Sequence, residues 1–252
     1  ARLQALGIEP LVDSPLVGEN LREHRYVAVD WKVKSGSSNR NLQGLSLLAA
    51  VLRYFLLSSG PMTDAAHEVG GFIKTSPELA RPDAQIGSML VTMSIGANGA
   101  PVLDKFPGMR LLGYFTRPES RGWTHITSND PAASPAINAN HFAEEIDRKT
   151  ALYLFKWLRR LGQQPALSHW IVEETGKGAV FQSDEEIAAN LLQLGGTSFH
   201  IAGTAAMGAD EGSVLDPQLR VRGVTGLRVC DTSIMPTLVS GNTNAPAMAI
   251  AM

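Results

Sequence analysis

The chain has 252 residues, of which 44% are hydrophobic and 18% are charged, the composition of an ordinary folded protein. Its formal net charge of −2 excludes the strongly basic surface that nucleic-acid binding or attachment to an anionic membrane requires. We therefore expect a protein with a sizeable buried core and a partner other than nucleic acid.

The single cysteine, Cys230, cannot form an internal disulfide, which fits a reducing, cytoplasmic location. No cluster of histidine and cysteine residues has the spacing of a structural zinc site, so we predict no metal site. The longest apolar stretch, Leu45–Leu57, is interrupted by Ser46, Arg53 and Tyr54. It is shorter than the roughly 20 residues that cross a bilayer, so we predict a buried helix there and no membrane-spanning segment.

The first half of the chain mixes predicted strands with one long helix. Alternation of apolar and polar residues predicts half-buried strands, and apolar residues three or four positions apart predict the helix. In chain order the predicted elements are a short helical piece and a loop in 1–24, a strand at Arg25–Lys34, a helix at Asn41–Ser59, strands at Gly71–Lys74 and Gln85–Ile95, and a hairpin of Arg110–Arg117 with Gly122–Ser128, joined by the turn Pro118–Arg121.

The second half contains the clearest helix pattern and then a long segment rich in Gly, Thr and Asn. The predicted elements are a helix at Asn140–Leu161 ended by Gly162, a helix starting at Ser183 with Asp184, Glu185 and Glu186 in its first turn, a short buried strand at Leu227–Cys230, and a final helix at Ala247–Met252. Because strands and helices do not alternate regularly, we predict an α+β fold with a mostly antiparallel sheet and flanking helices.

The last sixty residues hold the candidate chemistry. His200 lies among small residues in Thr197–Gly208, a setting that suits a base in a tight pocket, although a hydrogen-bonded core histidine is the alternative. Further along, Asn244 as an N-cap and Pro246 in the first turn predict a helix N-terminus suited to an anionic ligand, with an ordinary capped helix as the alternative. The chain contains no Gly-rich dinucleotide motif, no P-loop and no nucleophile elbow.

Taken together, these segments resemble the glucose–methanol–choline (GMC) family of FAD-dependent alcohol oxidoreductases. The similarity covers almost the whole chain. It rests most specifically on two blocks, His200-x-x-Gly203-Thr204 with Met207-Gly208, and Asp231-x-Ser233 with Ser240-Gly241-Asn242-Thr243-Asn244-Ala245-Pro246. Less specific similarities are Gly7-Ile8, Val17-Gly18-Glu19-Asn20-Leu21-Arg22-Glu23-His24, Gly60-Pro61, Glu68-Val69-Gly70-Gly71-Phe72, and Pro118-Glu119-Ser120-Arg121-Gly122 with Asp130-Pro131.

The resemblance implies roles for seven residues. His200 matches the family's catalytic base, and Asn242 stands where a histidine or asparagine completes the pair that faces the flavin. The implied contacts to FAD are Asp231, Ser233, Asn244, Ala245 and Pro246. The implied reaction oxidises a small primary alcohol, choline-like or other, to an aldehyde by hydride transfer to FAD. Ile201 departs from the family, which commonly has proline at this place, but the departure leaves the imidazole in position.

The resemblance also implies a domain organisation. Residues 1–24 correspond to a remnant of the FAD-binding half, 25–195 to a substrate-binding domain, and 196–252 to a catalytic segment that contacts the flavin. The partner implied by this division is an N-terminal FAD-binding half that the chain lacks, whose α/β domain some segments here would complete. Two alternatives remain open: a hydroxynitrile lyase on the same scaffold, and an inactive domain with a structural role.

Several other residues are weaker candidates. Glu68 is placed either to face a cationic substrate or, as for most glutamates, in solvent. The same holds for the remaining histidines, which we assign to structural positions: His24, His67, His125, His141 and His169. We expect the choice of alcohol to depend on the shape of a pocket lined by Trp31, Phe72, Met89, Phe115 and similar residues, so the sequence does not name the alcohol.

Overall fold

The computed structural model describes residues 2–252, which form two compact units. The first unit contains the residues up to Arg25 together with Thr116–Arg148 and Thr197–Met252, and the second contains Tyr26–Phe115 and Lys149–Gly196. The helices and strands of the described residues are α1 (Arg2–Ala5), β1 (Arg25–Val33), α2 (Gly44–Leu57), β2 (Gly70–Ile73), β3 (Ala84–Met89), β4 (Met93–Ile95), β5 (Pro101–Leu103), β6 (Gly108–Phe115), β7 (Trp123–His125), β8 (Ala136–Asn138), α3 (Glu145–Gly162), α4 (Pro165–Ser168), β9 (Ile171–Thr175), α5 (Asp184–Ala189), β10 (Gly195–Thr197) and α6 (Asn244–Ala251). The domain boundaries that the resemblance implies stay a prediction.

The second unit is built on the main sheet, whose strand order is β10-β1-β6-β3-β2, with β9 also paired to β1. Strand β6 is hydrogen-bonded on both edges, antiparallel to β1 and to β3. Helix α3 packs on this sheet, with Leu154, Phe155 and Leu158 fully buried. A Cβ atom added to Gly162 would lie 2.6 Å from the Trp31 ring, so the end of α3 approaches the sheet very closely. The predicted α+β class with an antiparallel sheet is confirmed.

The first unit is organised around a central segment, residues 18–24, which is hydrogen-bonded along both sides. On one side Leu21 exchanges two backbone hydrogen bonds with Gly122, at 2.9 and 2.8 Å, and Thr124 N–H donates to Gly18. On the other side Arg22 exchanges two with Ala202, at 2.9 and 3.0 Å. The central segment therefore holds together parts of the chain that are separated by about a hundred and by nearly two hundred residues.

The predicted hairpin of Arg110–Arg117 with Gly122–Ser128 is wrong. Both edges of β6 are occupied by β1 and β3, and β7 pairs instead with β8. Side chains hold the connecting segment where a hairpin turn was expected. The Asp147 carboxylate accepts the backbone N–H groups of Glu119 and Ser120, at 3.0 and 2.7 Å, and the Arg22 guanidinium donates to the Pro118 carbonyl at 2.7 Å.

Three further elements differ from prediction in extent. The strand predicted at Gln85–Ile95 is divided into β3 and β4, because Thr92 N–H donates to the Asn39 side chain. Helix α3 starts at Glu145, since Asn140 and Phe142 have φ values of 50° and 60° that a right-handed helix does not permit. The predicted buried strand Leu227–Cys230 is a loop with an isolated bridge at Arg228, and it is exposed apart from the partly buried Val229.

The predicted helix at Leu45–Leu57 is present, but the prediction that it is buried is wrong. Helix α2 has the expected position, but its buried residue is Ala50. Most of the apolar side chains along it are exposed, including Leu45 (87%), Phe55 (75%) and Leu56 (77%). Apolar composition alone does not report burial, because it cannot tell which face a neighbour covers. No helix in residues 2–252 combines the length and hydrophobicity that crossing a bilayer requires.

We predict that Leu154→Ala destabilises the second unit far more than Leu56→Ala. Leu154 is fully buried, so its truncation loses about 2–5 kcal/mol of unfolding free energy. Leu56 is 77% exposed, and its truncation changes that free energy by less than about 0.5 kcal/mol. Urea unfolding followed by circular dichroism measures both values. Equal losses would contradict the exposure of α2.

Candidate active site

His200 lies in an irregular stretch of backbone beside the central segment. Ser198 N–H donates to the His24 carbonyl at 3.1 Å, and Ala202 N–H donates to the Arg22 carbonyl at 3.0 Å. Between these two bonds, three residues, 199–201, face the single residue Glu23. Such a bulge bends the strand and redirects a side chain, and bulges are frequent beside active sites.

The bulge sends His200 inward and its neighbours outward. Phe199 has a φ of 59°, in the left-handed region that is unusual for an aromatic residue. Two hydrogen bonds hold this backbone: Phe199 N–H donates to the Thr197 hydroxyl at 3.0 Å, and His200 N–H donates to the Glu23 carboxyl at 3.1 Å. His200 is consequently 8% exposed, whereas Phe199 is 85% and Ile201 45% exposed.

The His200 ring is contacted at both nitrogens. Its Nδ1 lies 3.0 Å from Nδ1 of His24, and its Nε2 lies 3.2 Å from the side-chain amide nitrogen of Asn242. The second nitrogen of His24, Nε2, lies 3.0 Å from the Thr116 carbonyl oxygen. The two imidazole rings are perpendicular, with centroids 5.2 Å apart.

Burial controls the charge of these groups. It lowers the pKa of His24 to about 4 and also lowers the pKa of His200 from its ordinary value of 6.5. Burial raises the pKa of the neighbouring Glu23 carboxyl. Both imidazoles are therefore neutral at neutral pH, and a neutral imidazole can accept a proton.

A close backbone approach fixes the loop after His200. Gly203 has a φ of +93°, and a Cβ atom there would lie 2.4 Å from the Asn20 carbonyl oxygen, so only glycine fits. The Asn20 side chain donates to the carbonyls of Gly203 and Pro236, both at 3.3 Å. This pair of bonds ties the His200 loop to the segment that contains Met235 and the preceding helical turn.

Ser233 lies in that turn, a 3-10 helix at Thr232–Ile234, and Asp231 immediately precedes it. The Asp231 carboxylate caps it by accepting Ser233 N–H at 2.7 Å. The turn is bonded directly to the His200 loop, because the Thr232 hydroxyl donates to the Ile201 carbonyl and Ala205 N–H donates to the Ser233 carbonyl, both at 2.9 Å. Asp231 is itself exposed.

Helix α6 begins two residues after Asn242. The prediction that Asn244 is its N-cap is wrong: Ala247 N–H donates to the Thr243 carbonyl at 2.9 Å, which makes Thr243 the N-cap, and its side chain forms no capping bond. Asn244 and Ala245 are exposed in the first turn, where helix geometry provides their N–H groups with no intrahelical acceptor. Pro246 follows in the same turn, as predicted.

The structure thus brings His200 and Asn242 into contact, which the sequence did not establish. His24 was missed, because the sequence grouped it with the structural histidines. The available signal was its position at the end of the block Val17–His24. Glu68, by contrast, is exposed in the second unit.

Four other candidate residues have structural surroundings. His125 bonds to the Glu19 carboxylate at 2.7 Å, and His169 bonds to the Pro165 carbonyl at 3.0 Å. Trp31 and Phe115, expected to line a pocket, are buried at 4% and 5% exposure in the second unit. Within residues 2–252, no group of three or more His, Cys, Asp or Glu side chains is placed to hold a metal ion.

Comparison with known proteins identifies the family to which this site belongs. The sequence profile described as GMC oxidoreductase matches residues 118–251, more than half of the chain, including both His200 and Asn242. The chain belongs to the GMC oxidoreductase family. The resemblance read from the His200 and Asn242 blocks is therefore confirmed.

Curated GMC relatives match the chain from end to end. An alcohol dehydrogenase [acceptor] of Pseudomonas putida is 33% identical over 265 residues, covering 100% of this chain and 45% of that protein. The choline oxidase of Arthrobacter globiformis is 34% identical over 256 residues, covering 99% of this chain and 42% of the relative. This GMC chain spans less than half the length of either protein.

Solved structures share the GMC fold over 99% of the chain. A formate oxidase variant of Aspergillus oryzae, studied for FAD modification, superimposes with a TM-score of 0.88 at 25% identity, and 48% of that chain is covered. Pyridoxine 4-oxidase from Mesorbium loti superimposes with a TM-score of 0.80 at 23% identity, and 45% of it is covered. The second likeness is evidence of the fold alone.

We predict that His24 makes the stability of this GMC chain depend on pH. Its pKa is about 4 in the folded state against 6.5 in the unfolded chain, so between these values the unfolded state binds more protons. Unfolding free energy should fall as pH drops from 6.5 towards 4, with a contribution on the order of 3 kcal/mol from this residue.

The matched control is His24→Gln, which removes the titrating group and leaves His141, also with a pKa of about 4, in place. Urea unfolding of both proteins across this pH range isolates the His24 contribution. If the two proteins lost stability in parallel as the pH fell, His24 would titrate as it does in the unfolded chain.

Proposed function

We propose that the chain supplies the proton-accepting side of a FAD-dependent alcohol oxidoreductase, with His200 as the base. The observation that carries this proposal is the pairing of a neutral, buried imidazole with an amide donor, at 3.2 Å between His200 Nε2 and the Asn242 amide nitrogen. A bare imidazole nitrogen accepts a proton, and a neighbouring amide N–H stabilises the oxygen that loses it.

FAD, when bound, supplies the acceptor for the hydride that leaves the alcohol carbon. The chain's own residues manage the proton: the alcohol O–H bond breaks and its proton goes to Nε2 of His200. The carbon–oxygen bond becomes a carbonyl, giving an aldehyde from a primary alcohol. Asn242 donates to the oxygen as negative charge develops on it, so its contribution is larger in the transition state than in the ground state.

The exposed surface beside His200 fits contact with a flavin. Phe199 and Ile201 are exposed and apolar, and Asn244 and Ala245 present the first-turn N–H groups of α6 on the stretch that follows Asn242. Those N–H groups favour negative charge, which reduced flavin carries. We assign Asn244, Ala245 and Pro246 to flavin contact. Asp231 and Ser233 are assigned to the same cofactor, because their turn is bonded to the His200 loop.

The relatives support both the substrate class and a partner. Those named above are an alcohol dehydrogenase and a choline oxidase, so a small alcohol, choline-like or other, is the proposed substrate. An FAD-binding half completes the flavin site. A cytoplasmic location remains a prediction from the single cysteine.

The experiment is anaerobic reduction of FAD by alcohols, followed by flavin absorbance, in protein that carries the complete flavin site. We expect His200→Ala to lower the reduction rate constant by about 10²–10⁴-fold because the base is lost. Asn242→Ala should lower it by about 10²–10³-fold, with a smaller effect on substrate binding. His169→Ala is the matched control, because His169 is exposed and bonds within its own helical turn.

Two results would overturn the proposal. FAD that stays oxidised with every alcohol while a cyanohydrin is cleaved would establish the lyase alternative. Equal reduction rates in His200→Ala and in the unmutated protein would remove His200 from the chemistry. For the chain alone, its absorption spectrum after FAD addition and removal of excess reports whether it retains flavin by itself.

A further inference from the structure

A directional series of hydrogen bonds passes through both buried imidazoles. It begins at the Thr116 carbonyl, continues through His24 and His200, and ends at the amide of Asn242. A carbonyl oxygen only accepts, so Nε2 of His24 must carry the hydrogen of the first bond. This single acceptor, a backbone group that cannot titrate, sets the direction of every bond that follows.

The remaining hydrogens are then determined one at a time. A neutral His24 with its hydrogen on Nε2 has a lone pair on Nδ1, so the 3.0 Å contact between the two Nδ1 atoms requires the hydrogen on His200. Neutral His200 with its hydrogen on Nδ1 has its lone pair on Nε2. That lone pair faces the amide nitrogen of Asn242, a donor, so each contact in the series pairs one donor with one acceptor.

We propose that His24 is a positioning residue that fixes His200 in its Nδ1–H tautomer and so reserves Nε2 as the proton-accepting atom. The tautomer of a histidine is set by the bond that its other nitrogen makes. Without His24, a His200 ring protonated at Nε2 would present a hydrogen to the alcohol hydroxyl and could not take its proton. The catalytic consequence rests on the proposed function, whereas the tautomer does not.

Burial supports this role. His24 is fully buried, and its lowered pKa, about 4, keeps it a neutral acceptor towards His200. A protonated His24 would have hydrogens on both nitrogens and would bring two donors together at 3.0 Å. The position also lies within the central segment, whose pairing on both sides holds the backbone of His24 in place.

The first test reads the tautomers directly, without FAD or substrate. Two-dimensional proton–nitrogen spectra of the chain with ¹⁵N-labelled histidine distinguish a protonated ring nitrogen from one with a lone pair. We expect His200 to be protonated at Nδ1 and bare at Nε2, and His24 to be protonated at Nε2 and bare at Nδ1. A His200 ring protonated at Nε2 in the unmutated chain would overturn the proposal, whatever the variants do.

Two variants separate positioning from packing. His24→Gln keeps a donor for Thr116 and an acceptor for His200, while His24→Phe fills the space with neither. We expect His200 to stay protonated at Nδ1 in His24→Gln and to gain an appreciable Nε2–H population in His24→Phe. An unchanged tautomer in a folded His24→Phe chain, with circular dichroism as the folding check, would contradict the role.

The test of the catalytic consequence measures the rate of flavin reduction in protein that carries the complete flavin site. We expect His24→Phe to slow reduction by about 10–100-fold, since an imidazole held in the wrong tautomer loses up to about 10⁴ in turnover in the serine-protease triad. His24→Gln should recover most of the rate. Equal rates in the two variants would overturn the positioning role. Correct tautomers in a protein that no alcohol reduces would overturn the proposed function and leave the tautomer assignment standing.

Discussion

The first unit depends on backbone pairing along both sides of residues 18–24. This pairing leaves little room: a Cβ atom on Gly18 would lie 2.2 Å from the Thr124 carbonyl oxygen, and one on Gly203 would lie 2.4 Å from that of Asn20. Two glycines with positive φ therefore allow the flanking segments to approach. Because the bonds join segments distant in sequence, the loop-closure entropy they must overcome is large, and they form only as part of the folded unit.

The same pairing makes the bulge at His200 possible. Regular bonds at Arg22 and His24 fix both ends of the stretch, and the extra residues between those ends must leave the plane of pairing. The left-handed Phe199 costs on the order of 1–3 kcal/mol of local strain, which the surrounding bonds offset. As a result, the His200 side chain points inward from a rigid backbone rather than from a free loop.

Sequence patterns within a short stretch of chain correctly predicted elements that depend mainly on residues of that same stretch. The start of α5 was predicted at Ser183 with acidic residues in its first turn, where the structure places the N-cap, and alternation identified β1 with an error of one residue. Asn242 and His200 were found through motifs. The contact of His24 with His200 could not be predicted, because it joins residues 176 positions apart through a bulge that has no signature in sequence. The false hairpin at β6 arose for the same reason: strand propensity does not state which partner a strand takes.

His200 and His24 are both neutral, so His24 brings no charge that would stabilise a proton taken up by His200. In a serine-protease triad the histidine's second nitrogen faces a carboxylate, which stabilises the imidazolium as it forms. Here Nδ1 of His200 faces another imidazole, and burial lowers the pKa of both rings. Taking up a proton is therefore costly unless negative charge develops nearby at the same time. In the proposed reaction, negative charge passes to the acceptor as hydride leaves the alcohol carbon, so under that proposal we expect proton and hydride departure to be closely coupled.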